Sequence, residues 1–229
     1  MTAPWSPPLR PAIYAEQSLI IAIMDGEFPP GSTLPAEREL AVRLGITRPT
    51  LREALQRLER DGWLVIQQGK PTCVNDIWVN GGLNVLSALV RSDHELPADF
   101  IPNLLAVRLV LAPAYTRAAI QNHPELVSDC LKAAHDLESS PAAYAAFDWQ
   151  LHHTLTIASG NPIYTLILNG FAGFYEQMAQ RYFRREEARG ASSAFYTALR
   201  EAVDSGDAAQ AEAVTRNVMQ ASLSLWQAG

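Results

Sequence analysis

The sequence predicts a mainly α protein, with an N-terminal winged helix-turn-helix domain over residues 1–78 and a C-terminal all-helical bundle over 79–229. Three observations predict it. Between Leu34 and Thr72 two short helical patterns meet at Gly45, and a hairpin pattern follows them. In that stretch Arg38, Arg43, Arg48, Arg52, Arg57, Arg60 and Lys70 outnumber Glu37, Glu39, Glu53, Glu59 and Asp61, although the chain carries a net charge of -6. A basic helix-turn-helix inside an acidic chain points to nucleic-acid binding. Beyond Gly82 nearly every segment has helical periodicity, and none reads convincingly as a strand.

Taken in order, Ile13 to Asp25 places Ile13, Leu19, Ile20, Ile23 and Met24 at helical spacing. Pro29, Pro30 and Gly31 end that helix, because proline cannot continue it and glycine permits the reversal. Pro35 suits the first turn of the next helix, which runs to Leu44 and stops at Gly45. Thr47 is the natural N-cap of the third helix, whose Leu51, Ala54, Leu55 and Leu58 share one face and which Gly62 closes. Trp63 to Asn75 reads as strand, turn around Gln68 to Lys70, and strand. Residues 76–82, with the Gly81-Gly82 pair, read as the junction. Helices are expected near 83–92, 98–121, 124–138, 141–159, 161–184, 191–205 and 207–227. Pro97, Pro124, Pro141, Gly160, Pro162, Gly190 and Gly206 stand between them as breakers.

Composition narrows the function. Apolar residues make up 48% of the chain, which suits a packed core. Two cysteines without a CxxC exclude a thiolate zinc site and fit a reducing cytoplasm. The proline-rich start does not read as a signal peptide, and no uninterrupted apolar run is long enough to span a membrane. No GxSxG, phosphate loop or paired loop carboxylates appear, so no catalytic residues and no enzymatic activity are expected. After Val79 acidic residues outnumber basic ones, which makes the bundle a poor second DNA surface.

A recognition helix reads bases mainly with its N-terminal residues, here Thr47, Arg48, Thr50 and Arg52. Arginine can bond guanine O6 and N7 together; threonine can bond a phosphate or touch a thymine methyl. Arg38, early in the preceding helix, is placed for backbone or a base edge, and the polar tip Gln68-Gly69-Lys70 for the minor groove.

The pattern Pro30, Gly31, Leu34, Pro35, Glu37, Arg38, Glu39, Leu40, Ala41, Leu44, Gly45, Arg48, Thr50, Arg52, Glu53, Ala54, Leu58 and Gly62 resembles the winged helix of the GntR family of transcription regulators. Residues 60–76, 82–86 and 158–170 are similar to its acyl-CoA-responsive FadR subfamily, and the resemblance extends over nearly the whole chain. It implies a homodimer on a pseudo-palindromic double-stranded DNA operator. It also implies repression of fatty acid degradation, activation of synthesis, and release of DNA by a long-chain fatty acyl-CoA effector, with no cofactor and no membrane partner. By position it implies DNA contacts from Arg38, Thr47, Arg48, Thr50, Arg52, Gln68 and Gly69. Pro49 departs from a subfamily threonine, and Gln68 from a wing-tip histidine.

For the effector, the resemblance implies Arg108, Tyr175, Tyr182, Ser222 and Trp226. Arginine would meet a CoA phosphate, the hydroxyls the thioester, and tryptophan the chain. From spacing alone, Tyr175, Tyr182 and Trp226 read as ordinary aromatics at helical interfaces. Met219 stands where the subfamily has glycine. In the wider subfamily with this helical domain, an Asp and a His four residues on belong to a metal site that two later histidines complete. Asp148 and His152 match the first pair and share a helix face. The later positions fall at or near Tyr196 and Val218, so no metal is expected. The alternative reading is a GntR-family regulator that answers to an organic acid through a metal.

Overall fold

A computed structural model describes residues 10–91 and 97–227. The proline-rich start and His94, expected in a loop, lie outside the described residues. The chain divides into two compact units, residues 1–96 and 97–229.

In the first unit α1 (Pro11–Met24) packs on α3 (Arg48–Arg60), and α2 (Glu37–Leu44) packs on α3 from its own side. Leu19, Ile20 and Ile23 of α1 and Leu51, Ala54, Leu55 and Leu58 of α3 are buried, so the apolar spacing in sequence becomes the core. Trp63 is fully buried directly after α3. Gly45 ends α2 in the left-handed region at φ 66°, a conformation that would strain an L side chain. Strands β1 (Leu64–Val65) and β2 (Cys73–Val74) pair antiparallel, Leu64 opposite Val74. Thr33 adds an isolated bridge to Cys73, with Leu34 N donating to Thr72 O at 2.9 Å. That third rung joins the segment before α2 to the wing, and no periodicity in so short a stretch announces it.

The junction is not bare linker. It contains α4 (Ile77–Asn80), capped by the Asp76 carboxylate, and leads into α5 (Leu83–Arg91), which packs on α1. Gly81 owes its place to contact: a Cβ there would lie 2.9 Å from Val85 Cγ2 and closer still to the Ile77 carbonyl.

The second unit holds α6 (Phe100–Asn122), α7 (Pro124–Lys132), α8 (Pro141–Ala158), α9 (Pro162–Gly170), α10 (Ala172–Phe183), α11 (Glu186–Asp204) and α12 (Ala208–Gln227). The pairs α6 with α12, α11 with α12 and α10 with α8 form the main interfaces, around Val127, Leu131, Leu151, Leu155 and Leu199. Three boundaries differ from the sequence expectation. The helix expected over 161–184 is two, parted at Phe171, because Gly170 ends α9. Gly190 lies inside α11 and breaks nothing; the break falls at Arg184–Arg185, where Glu186 and Glu187 open α11 with charges that favour a helix start. The helix expected to reach residue 138 stops at Lys132 and passes into turns.

Candidate nucleic-acid interface and effector cavity

The reading end of α3 is built by its cap. Thr47 stays extended and accepts from the Thr50 amide at 3.4 Å, while the two hydroxyls lie 2.8 Å apart. Pro49 occupies the first turn, where its missing N–H costs nothing. Arg48 and Arg52 are exposed on the same helix, and Glu37 at the start of α2 reaches both. Its carboxylate accepts from Arg52 Nε at 2.7 Å and lies 4.0 Å from Arg48 Nη2. Arg38, next to Glu37, is exposed and makes no ion pair among the described residues. Gln68 and Gly69 are exposed in the turn between β1 and β2, Gly69 at φ 75°. Glu59 accepts from the Ile66 amide at 3.2 Å and so ties the wing base to α3. Of the seven residues expected at DNA, Thr47, Arg48, Thr50 and Arg52 thus lie at the start of α3, Arg38 at the start of α2, and Gln68 and Gly69 at the wing tip.

In the second unit Arg108, Tyr175, Tyr182, Ser222 and Trp226 all line one cavity of about 1070 Å³, open mouth included. Its walls are otherwise mainly apolar, among them Leu104, Leu111, Ile167, Phe171 and Met178. This combination of apolar walls and a few convergent polar groups suits a small-molecule site. Tyr182 donates to Ser222 Oγ at 3.1 Å, linking α10 to α12. Met219 is buried and lines the same space.

Arg108 is not free to meet a solvent-borne phosphate. Its Nη2 lies 3.2 Å from Asp148 Oδ2, and its guanidinium carbon stands 5.5 Å from the Tyr175 ring centroid. Asp148 also accepts from the Tyr175 hydroxyl and from Tyr196 at 3.3 Å. Burial works against the Asp148 charge, and His152 and Arg108 outweigh it, holding its pKa below the ordinary carboxylate value. Burial pushes His152 down to about 4, against the pull of Asp148. His152 is therefore neutral near pH 7, and Arg108 is what keeps Asp148 ionised there. Burial raises the Tyr115 pKa, so its phenol stays protonated, and it is hydrogen-bonded to His152 Nδ1 at 2.8 Å, the imidazole tautomer deciding which atom donates. His152 Nε2 lies 3.8 Å from Asp148 Oδ1 and has no hydrogen-bond partner among the described residues.

This donor set does not fit a metal. Asp148 already faces a guanidinium and two phenols, and Tyr196 stands at one of the positions expected for a later histidine. Val218, at the other, is an apolar wall residue. Among the described residues no three of His, Cys, Asp and Glu converge. Of the other histidines, His123 and His135 are exposed, His123 lying 3.2 Å from Glu125, and His153 stacks on Trp149. Sequence spacing placed Asp148 and His152 on one helix face, and nothing in it announces that Arg108 and Tyr115 of α6 meet them. No helix is long and apolar enough to cross a membrane among the described residues.

Comparison with known proteins also divides the chain in two. Residues 12–74 match the family described as bacterial regulatory proteins, gntR family, and residues 75–229 match the FadR C-terminal domain. The expected division after residue 78 lies between this one and the compactness boundary at 96. The chain is 45% identical over 217 residues to a fatty acid metabolism regulator protein of Shewanella frigidimarina, covering 95% of this chain and 91% of that one. It is 49% identical over 189 residues to the protein of the same name in Yersinia enterocolitica, covering 82% and 79%. Among solved structures, Lar, described as controlling expression of the Listeria monocytogenes agr system, aligns over 99% of both chains with TM-score 0.66 at 16% identity. That likeness bears on the fold alone.

Proposed function

The chain belongs to the GntR family of bacterial transcription regulators and ends in a FadR C-terminal domain, and on that premise we propose that it is an acyl-CoA-responsive regulator of fatty acid metabolism. In this reading a homodimer sets two α3 helices in successive major grooves of a pseudo-palindromic operator, with Arg48 and Arg52 on base edges and Thr47, Thr50 and Arg38 on backbone or neighbouring bases. Gln68 and Gly69 enter the minor groove. The bound regulator represses genes of fatty acid degradation and activates those of synthesis. A long-chain acyl-CoA occupies the cavity and releases the DNA, because it binds the DNA-incompetent arrangement more tightly.

The observation that carries this reading is that Arg108, Tyr175, Tyr182, Ser222 and Trp226 converge on one mainly apolar cavity. Tyr182 and Ser222 already bond each other and can turn to a thioester carbonyl, while Phe171, Phe174 and Met178 supply dispersion contacts to the methylenes. A mobility-shift titration on a palindromic operator tests it. Oleoyl-CoA, but not free CoA, is expected to weaken binding at least about tenfold, equivalent to roughly 1.4 kcal/mol of coupling. Unchanged binding with oleoyl-CoA would remove the effector while leaving the DNA-binding assignment in place.

A further inference from the structure

An acyl-CoA brings several phosphate charges along with its chain. Among the described residues the cavity offers them one cation, Arg108, and Asp148 already faces it at 3.2 Å. The counter-charge for the phosphates must lie elsewhere.

Tyr182 and Trp226 line the apolar cavity, and they also line a second hollow whose other two walls are Arg181 and Arg185. The two hollows thus share a partition, apolar on one side and basic on the other. The basic side is built by neighbouring contacts. Arg181 stands with its guanidinium carbon 5.5 Å from the Trp226 ring centroid, which holds it beside the indole. Arg185 Nη1 donates to the Leu225 carbonyl near the end of α12, and its other guanidinium nitrogens have no hydrogen-bond partner among the described residues. Neither arginine makes an ion pair among the described residues, unlike Arg43, Arg52, Arg57 and Arg108, which each face a carboxylate. Arg181 is exposed and Arg185 half-buried. Two uncompensated guanidinium groups at the rim of an apolar cavity, in an acidic unit, form the complement of an amphiphile with an anionic head.

We propose that Arg181 and Arg185 form the subsite for the phosphate-bearing head of the effector, with the acyl chain in the cavity and Tyr182 and Trp226 at the boundary between them. The inference rests on the acyl-thioester reading given above. It reassigns the phosphate-binding role from Arg108, whose charge serves Asp148, to the pair outside. Guanidinium suits this role through its planar, multiply donating geometry toward phosphate oxygens.

The test compares oleoyl-CoA, S-oleoyl-N-acetylcysteamine (the same acyl thioester without phosphates) and free CoA, each titrated into the full-length protein by calorimetry. Wild-type protein is expected to bind oleoyl-CoA at least about tenfold more tightly than the neutral thioester, with the difference shrinking as salt rises. The double variant Arg181→Gln, Arg185→Gln is expected to lose that difference while binding the neutral thioester as before. Arg181→Gln alone, which removes no backbone hydrogen bond, is expected to lose part of it, and Arg181→Lys to keep most. Equal affinity of wild-type and double variant for oleoyl-CoA would overturn the subsite and leave the effector reading intact. A parallel loss for the neutral thioester in both glutamine variants would overturn it too, since that is damage to the cavity. Wild-type protein that binds neither thioester would overturn the effector reading, and this inference with it.

Discussion

Arg108 Nη2 and Asp148 Oδ2 meet at 3.2 Å on the wall of the cavity, joining α6 to α8. The carboxylate is almost fully buried, so removing its cation leaves an uncompensated interior charge. Arg108→Met is expected to cost about 3–5 kcal/mol of stability in urea unfolding. Adding Asp148→Asn should restore most of that loss, because the amide carries no charge to leave unpaired. A single variant as stable as the wild type would show that the pair contributes nothing.

His152 sets a dependence on acid. Its folded pKa of about 4 lies below the ordinary histidine value of 6.5, so the unfolded chain binds the proton more readily. The resulting stability is present in full above pH 6.5 and is lost as pH falls from there toward about 4. The linkage amounts to as much as about 3 kcal/mol. His152→Phe should flatten this part of the stability-against-pH curve measured by denaturant unfolding. An unchanged slope between pH 6.5 and 4 would contradict the assignment.

At the DNA end, Arg48→Ala is expected to cost about 1–3 kcal/mol of operator affinity and to relax discrimination at one base position. Arg38→Ala should lower the salt slope if it holds a phosphate. Glu37 tethers Arg52 at 2.7 Å and opposes phosphate by its own charge. Glu37→Gln should therefore raise affinity for non-operator DNA more than for operator, a difference read by anisotropy on both duplexes. Preserved operator binding and specificity in Arg48→Ala, Arg52→Ala and Arg38→Ala would remove α3 as the reading helix.

The DNA-binding unit was legible in the sequence because its signals are local. The Thr47 cap, the Gly45 stop and the face Leu51, Ala54, Leu55 and Leu58 each declare themselves within a few residues. The bundle was legible as helices, but its breaks were misplaced where local chemistry competed: Gly190 reads as a breaker yet sits in α11, while the helix start at Glu186 lacks a cap-type residue before it. The cavity was legible only through resemblance, since Arg108, Tyr175 and Trp226 lie on three helices whose meeting no spacing encodes. For the same reason the Arg108–Asp148 and Tyr115–His152 contacts, between residues forty and thirty-seven apart, stayed hidden.

Met219 limits the cavity from α12. Met219→Gly should shift preference toward longer or bulkier acyl chains, at a cost to helix stability of about 1 kcal/mol from the glycine and more from the lost burial. Affinities across a series of acyl-CoA chain lengths check this. An unaltered profile would place Met219 outside the ligand's reach.

A metal has no role in this account. Dialysis against a chelator should leave operator affinity and its response to oleoyl-CoA unchanged, as measured by mobility shift. Loss of the response, restored by a divalent cation, would favour the organic-acid alternative.

If the cavity and the DNA-binding surface are coupled as proposed, thermodynamic reciprocity links the two affinities. If oleoyl-CoA weakens operator binding by some factor, the operator must weaken oleoyl-CoA binding by the same factor. Titrating oleoyl-CoA into the free protein and into the operator-saturated complex measures that factor without relying on DNA release as the readout. Binding to the complex is expected to be at least about tenfold weaker, matching the shift in operator affinity. Equal affinity in the two titrations would contradict it.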